Sequence, residues 1–386
     1  VEVVAQDVGM DTAQASSKIV ALAGSEKVRA VIGPLFSAPF SSASEAANAL
    51  HLPIISPTAS SDRLAAVGPF VFQANPDNET RGRAAARYAV NDLRMSSFVI
   101  MASDDPVGRS HAGAFAAEAR ELGATVYASV FFSPGASDLR REFQALRNAV
   151  MADGSLISRE DLARPDVAEF LRSTGADSLP AFRDTLVDSL SVTALFGARG
   201  YAVAESLGLA FLAEDTTAAQ LDVPMVTADG IYIALGDPEQ LDYVAPQLEY
   251  FNIRAQVIGN NEWYDPDRLM ENRAALDGAI FLSDFDEGRS DSAMTGFRAG
   301  FTRRHGKGPT KFTLYGYDTM RLLLEQVREG ARSRLEIASR LAAVWDYPGL
   351  HAPISLRDGR VNRHLHVLQF SGGEIRRIGT ASGGEL

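Results

Sequence analysis

The feature that most constrains the fold is a rhythm in residues 1–150. A short apolar run rich in Val and Ile, a turn of small residues and an Ala-rich amphipathic stretch follow one another repeatedly. This is the periodicity of βα units. The runs at Val1–Gln6, Val28–Gly33, Pro53–Ser56, Phe70–Ala74, Ser97–Ala102 and Ala124–Phe132 are mostly continuous rather than alternating. Strands of a parallel sheet covered on both faces read this way, so the spacing predicts a doubly wound α/β architecture. Asp11 with Gln14 has capping-box spacing, and Asn75-Pro76 sets a cap residue before a helix-starting proline.

The rhythm stops after Val150. Residues 151–222 carry twelve Asp or Glu against five Arg, and they read as an acidic helical insertion with helices at Asp161–Ser173, Leu179–Leu190 and Arg199–Glu214. It serves either as a solvated face or as a contact surface for a partner protein. The alternation then resumes with strands at Gly230–Leu235, Ala255–Gly259 and Gly278–Ser283 and helices at Asp237–Phe251, Ser292–His305 and Phe312–Gly330. The tail, Leu350–Leu356 and His364–Phe370 with Asp358-Gly359 between them, reads as a closing strand pair.

Composition removes whole classes of function. The 386 residues have a net charge of -12, which excludes phosphate-backbone attraction as a driving force for nucleic acid. Without cysteine there is no thiolate metal site, no disulfide framework and no cysteine nucleophile. Apolar runs are too short to span a bilayer as a helix. Gly197-Ala198-Arg199-Gly200 lacks the preceding strand of a phosphate loop, and there is no Gly-x-Ser-x-Gly elbow and no His-Glu-x-x-His. His364 and His366 would share one strand face but have no third ligand nearby, so no metal or cofactor is expected. Asp284 and Asp286 suit acid–base work or loop capping, and Trp263 and Tyr264 suit a ligand-lining role or a loop anchor.

Ligands of open α/β sheets bind beyond the carboxyl ends of the strands, so the turns there are the candidate sites. In Val31-Ile32-Gly33-Pro34-Leu35-Phe36-Ser37 a strand runs through Gly-Pro into a helix start. Backbone N–H groups and the Ser37 hydroxyl there suit a carboxylate, or the serine only caps the helix. In Pro53-Ile54-Ile55-Ser56-Pro57-Thr58-Ala59-Ser60-Ser61 a second strand enters a hydroxyl-rich turn able to accept from an ammonium or hydroxyl group.

Several segments together resemble the type I periplasmic binding proteins, in particular the branched-chain amino acid binding proteins of ABC importers. They are Ala30–Leu35, Pro53–Pro57, Phe72–Asp77, Gln247–Ile253 with Gln256–Gly259, Ser283–Asp286 and Tyr315–Asp318. The resemblance implies a non-enzymatic, extracytoplasmic protein, free in the periplasm or lipid-anchored, with two lobes joined by three crossings. Lobe one would comprise residues 1–95 and 279–345, and lobe two residues 96–278, including the insertion, and 346–386. The family's first strand and helix, which precede the strand at Val1, have no counterpart. By the same resemblance Ser37 grips a ligand carboxylate, while Thr58 and Ser60 supply a carbonyl and a hydroxyl to its ammonium, with Ala59 between them as a further lobe-one contact. Lobe two would contribute Asp105, Gly236, Asn261 and Glu262.

Lobe two also departs from the family pattern. Gly236 stands where amino acid binders place an aromatic hydroxyl, Asn261 stands where they place an acid, and Val107-Gly108 replaces Tyr-Gly. The function implied is presentation of a small amino acid or related carboxylate to a membrane permease of an ABC importer after hinge closure. The alternative is an envelope regulator or sensor on the same fold, such as an activator of a penicillin-binding protein, that uses residues 151–222 as its contact.

Overall fold

The structure is a computed structural model that describes residues 2–25, 27–152, 156–175, 189–191, 195–196, 200–209, 225, 228–357 and 359–384. The chain divides into two compact units. The first holds Val1–Ala85, Leu282–Leu368 and Ile375–Leu386, and the second Ala86–Phe281 and Gln369–Glu374.

In the first unit, strands β1 (Val31–Ile32), β2 (Ile54–Ser56) and β3 (Val71–Gln73) form a parallel sheet in the order β1-β2-β3. Successive side chains leave a strand on opposite faces. Ile54 and Val71 therefore meet Phe40, Ala43 and Ala47 of helix α2 (Ser37–Ala49), and Ile55 and Phe72 meet Leu322, Ile337, Leu341, Ile354 and Leu356. Covering both faces requires the continuous apolar runs seen in the sequence.

Strands β4 (Ser97–Ser103), β5 (Thr125–Phe132), β8 (Gly230–Ala234), β9 (Gln256–Gly259) and β10 (Ile280–Ser283) are parallel neighbours in the order β10-β9-β8-β4-β5. The antiparallel pair β6 (Leu156–Ser158) and β7 (Ser189–Ser191) lies apart from them. Strands β11 (His364–Ser371) and β12 (Glu374–Ser382) extend the larger sheet beyond β10. In the second unit Phe115 of the helix Pro106–Glu121 stacks on Tyr232 of β8 at 4.1 Å between ring centroids, and His111 Nδ1 lies 3.1 Å from the Tyr232 hydroxyl.

Four expectations need correction. Residues 2–8 belong to no strand, since they pair with no strand among the described residues. The helix after β3 starts at Asn78 rather than Pro76: Asp77 Oδ1 accepts from Thr80 N at 2.9 Å, while the Asn75 side chain is drawn away to the Thr58 carbonyl. The closing hairpin turns at Gly372-Gly373, where both residues have positive φ (61° and 82°), and not at Asp358-Gly359. Two consecutive positive-φ residues make the two-residue turn that matches strand twist. Finally, residues 347–356 pack in the first unit, because Tyr347, Ile354 and Leu356 enter its core.

Of the insertion, the described residues include the short helices Arg159–Leu162, Pro165–Thr174 and Gly200–Ser206 and an apolar cluster of Ile157, Leu162, Val167, Leu171, Leu195, Ala204 and Leu209. Of the helix expected at Leu179–Leu190 only Ser189 and Leu190 are described, and they belong to β7 rather than to a helix; the part of the Arg199–Glu214 helix beyond Leu209 lies outside the described residues.

Candidate functional site

The two hydroxyl-rich turns of the first unit are hydrogen-bonded to each other. Ser37 opens α2, and its Oγ accepts from Ser60 N at 3.2 Å and from Ser61 N at 3.1 Å. Thr58 Oγ1 donates to the Leu35 carbonyl at 2.6 Å, and Ser56 Oγ donates to the Pro34 carbonyl at 2.8 Å. The Ser56 oxygen also accepts from Ala59 N at 3.0 Å. Gly33, with φ of 97°, lets β1 turn sharply enough to bring its carbonyls within reach.

This stitching determines what each group can still offer. The Ser37 oxygen accepts twice, which leaves its proton for an acceptor outside the chain. Phe36, the residue ahead of α2, supplies no side-chain cap, and the first internal bond runs from Phe40 N to Phe36 O. Pro39 has no N–H, so Ser37 and Ala38 carry the open backbone donors at this helix start. Half-buried Ser37 and exposed Ala38 thus make an anion-accepting corner. The Ser60 hydroxyl is half-buried and makes no hydrogen bond among the described residues. Thr58 has committed its hydroxyl proton to Leu35 and its carbonyl to Asn75 Nδ2 at 3.3 Å. Ala59 is only 1% exposed, with its carbonyl accepting from Gln73 Nε2 at 3.1 Å, so it holds the turn rather than facing outward.

Gln73 is the residue that sequence reasoning missed. It is fully buried at the end of β3, its amide nitrogen donates to the Ala59 and Ser61 carbonyls, and its Oε1 accepts from Ala65 N at 3.2 Å. A lone amide in the apolar run Val71-Phe72-Gln73 was the available signal, because a buried polar side chain needs internal partners.

The candidate residues of the second unit form another local network. Asp105 caps the helix Pro106–Glu121: Oδ1 accepts from Gly108 N at 2.9 Å, and Oδ2 accepts a short bond from Ser103 Oγ. Gln240 Nε2 donates to Ser103 Oγ at 3.2 Å, and its Oε1 accepts from Gly236 N at 3.0 Å. A Cβ on Gly236 would overlap Asp105 Oδ2, so the glycine is required by the approach of that carboxylate. A Cβ on Gly108 would overlap the Ser103 carbonyl, so the glycine of the Val107-Gly108 pair is fixed by packing of the helix on β4. Asp105, Gly236 and Gln240 therefore belong together.

Asn261 and Glu262 open a single 3₁₀ turn after β9, where Asn261 Nδ2 donates to Glu262 Oε1 at 2.6 Å and Asn261 Oδ1 is buried without a partner. Trp263 anchors this turn. Its ring is fully buried, Nε1 donates to the Ile233 carbonyl at 3.1 Å, and Gly259 is small because the indole lies against it. Asn260 adds a two-way bond with the Leu235 backbone.

The other titratable groups singled out in the sequence are structural in their contacts. Asp284 is buried with Arg81 Nη2 at 3.2 Å and the Tyr315 hydroxyl at 2.6 Å. Burial pushes its carboxyl up, but the Arg81 charge and the Tyr315 bond outweigh it and hold the pKa below the usual value. Asp286 is also buried, 3.8 Å from Arg377. His366 Nε2 lies 2.7 Å from the His351 carbonyl, and His364 Nε2 lies 2.9 Å from Ser355 Oγ. Among the described residues no group of three or more His, Asp or Glu side chains is placed to hold a metal ion.

Residues 1–157 match the family model described as periplasmic binding protein. No curated protein matches the sequence. Among solved structures, the chain resembles the leucine binding protein LivK of Thermotoga maritima (17% identity, 96% of this chain and 85% of that one, TM-score 0.58). It also resembles an ABC transporter substrate-binding protein of Desulfitobacterium hafniense in complex with Leu (19%, 97% and 88%, 0.58). A third is an ABC transporter solute binding protein of Rhodopseudomonas palustris in complex with 3,4-dihydroxybenzoic acid (15%, 100% and 87%, 0.57). All three are described as binding proteins for a small solute or substrate. The chain has the type I periplasmic-binding-protein fold.

Proposed function

We propose that this protein is an extracytoplasmic solute-binding component of an ABC importer and that it holds a small carboxylate, an amino acid or a relative of one. The observation that carries this reading is the Ser37 corner, where a hydroxyl with its proton still to give and two open backbone N–H groups lie together. Such a corner recognises a carboxylate by hydrogen bonds to its charge, each worth about 1.5–3 kcal/mol. Closure of the two units on the ligand, followed by docking on a permease, completes the reading. It works by differential affinity, since the ligand favours whichever state lets both units touch it.

The second unit shapes the choice of ligand. Asp105 spends both oxygens on its cap and on Ser103, and a neutral amide occupies position 261. A buried ammonium without a counter-charge costs several kcal/mol. An amino acid ligand therefore requires Asp105 or Glu262 as its counter-charge, whereas a carboxylate with a neutral body requires none. A thermal-shift screen of amino acids, aliphatic carboxylates and hydroxybenzoates tests it, because a ligand at 100 times its Kd stabilises by about 2.7 kcal/mol. The expected result is a raised Tm for at least one carboxylate and none for its primary amide. Equal shifts for acid and amide would overturn the reading.

A further inference from the structure

The helices of the first unit are covered unequally. Helix α1 (Thr12–Ala23) and α2 share one core cluster through Ala15, Ile19, Phe40, Ala43 and Ala47. The helix Ser292–His305 instead rests on its unit by Met294, which packs with Leu314 and Leu350, and by the Phe297 ring, 4.5 Å from that of Tyr317. Beside this contact runs a stripe of Ala293, Gly296, Phe297, Gly300, Phe301 and Arg304, whose spacing of three and four residues lines one side of the helix. The exposed glycines floor a groove of about 510 Å³, walled by the two half-buried phenylalanines and closed at one end by Arg304.

Packing within the chain does not require these glycines. Both stand in a helix interior, where glycine is less favourable than alanine, and neither has positive φ. A Cβ on either would meet no described atom within 4 Å. A face without side chains does let the backbone of a second helix come close. The charges of the helix run from end to end. Asp291 caps its start, with Oδ1 accepting from Met294 N at 2.9 Å, and its side chain is 44% exposed against 20% for its partner Arg289. No Asp or Glu occurs from Ser292 to Tyr317, and at the far end Arg303, Arg304 and Lys307 are exposed and form no ion pair among the described residues.

We propose that this face is a self-association surface, on which two copies of the chain pair through their Ser292–His305 helices laid antiparallel about a two-fold axis. The Phe297 ring of each copy sits over the glycine floor of the other. Antiparallel pairing sets the acidic start of each helix beside the basic end of its mate and opposes the two helix dipoles, whereas parallel pairing would bring the arginines together. The surface is therefore complementary to itself, which commits the groove to a second copy. A pair of 14-residue helices falls at the low end of interface sizes, below about 1,200 Å², so the dimer is weak and forms only toward high protein concentration. The carboxylate reading is independent of this face.

The test is sedimentation velocity of the full chain from about 1 μM to about 1 mM. The expected result is a sedimentation coefficient that rises with concentration from that of a monomer toward that of a dimer. Gly300→Gln fills the groove and should weaken association at least tenfold, while its Tm stays level or rises, because glutamine enters open space and is the better helix former. Arg304→Glu should cause a similar loss. Adding Ala293→Arg to Arg304→Glu should restore association, because antiparallel pairing brings position 293 of one copy against position 304 of the other. This charge swap leaves the glycines in place, so it decides the matter even where Gly300→Gln folds poorly. A chain that stays monomeric at every concentration, Gly300→Gln associating as tightly as the native chain, or an Arg304→Glu defect that Ala293→Arg does not relieve would each overturn the proposal.

Discussion

Replacing Asp284 by Asn removes a negative charge while keeping nearly the same shape, and the consequence can be worked out from the structure. Arg81 has a side chain only 5% exposed, and among its described contacts Asp284 is the counter-charge at 3.2 Å. Neutralising it leaves a buried guanidinium, and breaking a buried pair in this way costs about 3–5 kcal/mol. With a urea m-value of about 3 kcal/mol/M, the midpoint of unfolding should fall by about 1–1.7 M.

The assay can be confined to the first unit. Trp345 lies there and Trp263 in the second, so fluorescence in a Trp263→Phe background reports Trp345 alone. Removing the whole network with Arg81→Met, Asp284→Leu and Tyr315→Phe together should cost much less than Asp284→Asn alone, because no charge is stranded. A single-mutant shift below about 0.3 M, or a triple variant as damaged as the single, would refute the reasoning. The same carboxyl has its folded pKa lowered, so its contribution is complete above the unfolded value of about 3.9 and disappears as pH falls through the folded value.

Three further outcomes follow from the packing. Gly108→Ala places a methyl against the Ser103 backbone carbonyl, which cannot swing aside, and should destabilise by about 1–3 kcal/mol in calorimetry. Gln73→Leu strands the Ala59 and Ser61 carbonyls and the Ala65 N–H, so it should cost about 1–3 kcal/mol or more and weaken carboxylate binding as the turn loosens, read by urea titration and calorimetric binding together. His364 and His366 both have pKa values lowered chiefly by burial, so the native state resists their protonation. Stability should be full above the unfolded value of about 6.5 and should fall as pH drops from there through the folded values, with a smaller slope in His366→Gln.

Sequence pattern made the sheets legible because strands covered on both faces cannot hide their apolar runs, as Ile54-Ile55 and Val71-Phe72 show. It marked the serine turns as neighbours, since they close consecutive βα units. What it could not supply were requirements met by distant parts of the chain. Val1–Gln6 has strand composition, but a strand exists only against a partner, and residues 2–8 pair with no strand among the described residues. Asp358-Gly359 and Gly372-Gly373 are both turn signals, and only the second sits between segments that pair. Gly236 reads as a lost aromatic contact until Asp105 is seen lying against it, 131 positions away in the sequence. Trp263, equally suited by sequence to lining a ligand, is consumed by the core under Gly259.

The claim on which the functional account rests is that Ser37 gives its hydroxyl proton to a ligand carboxylate. Isothermal titration of the tightest carboxylate from the screen against the native chain and Ser37→Ala tests this most directly. The account predicts that the alanine variant stays folded and binds about 10- to 100-fold more weakly, the equivalent of one hydrogen bond to a charged group. Equal affinity in the two proteins would contradict it.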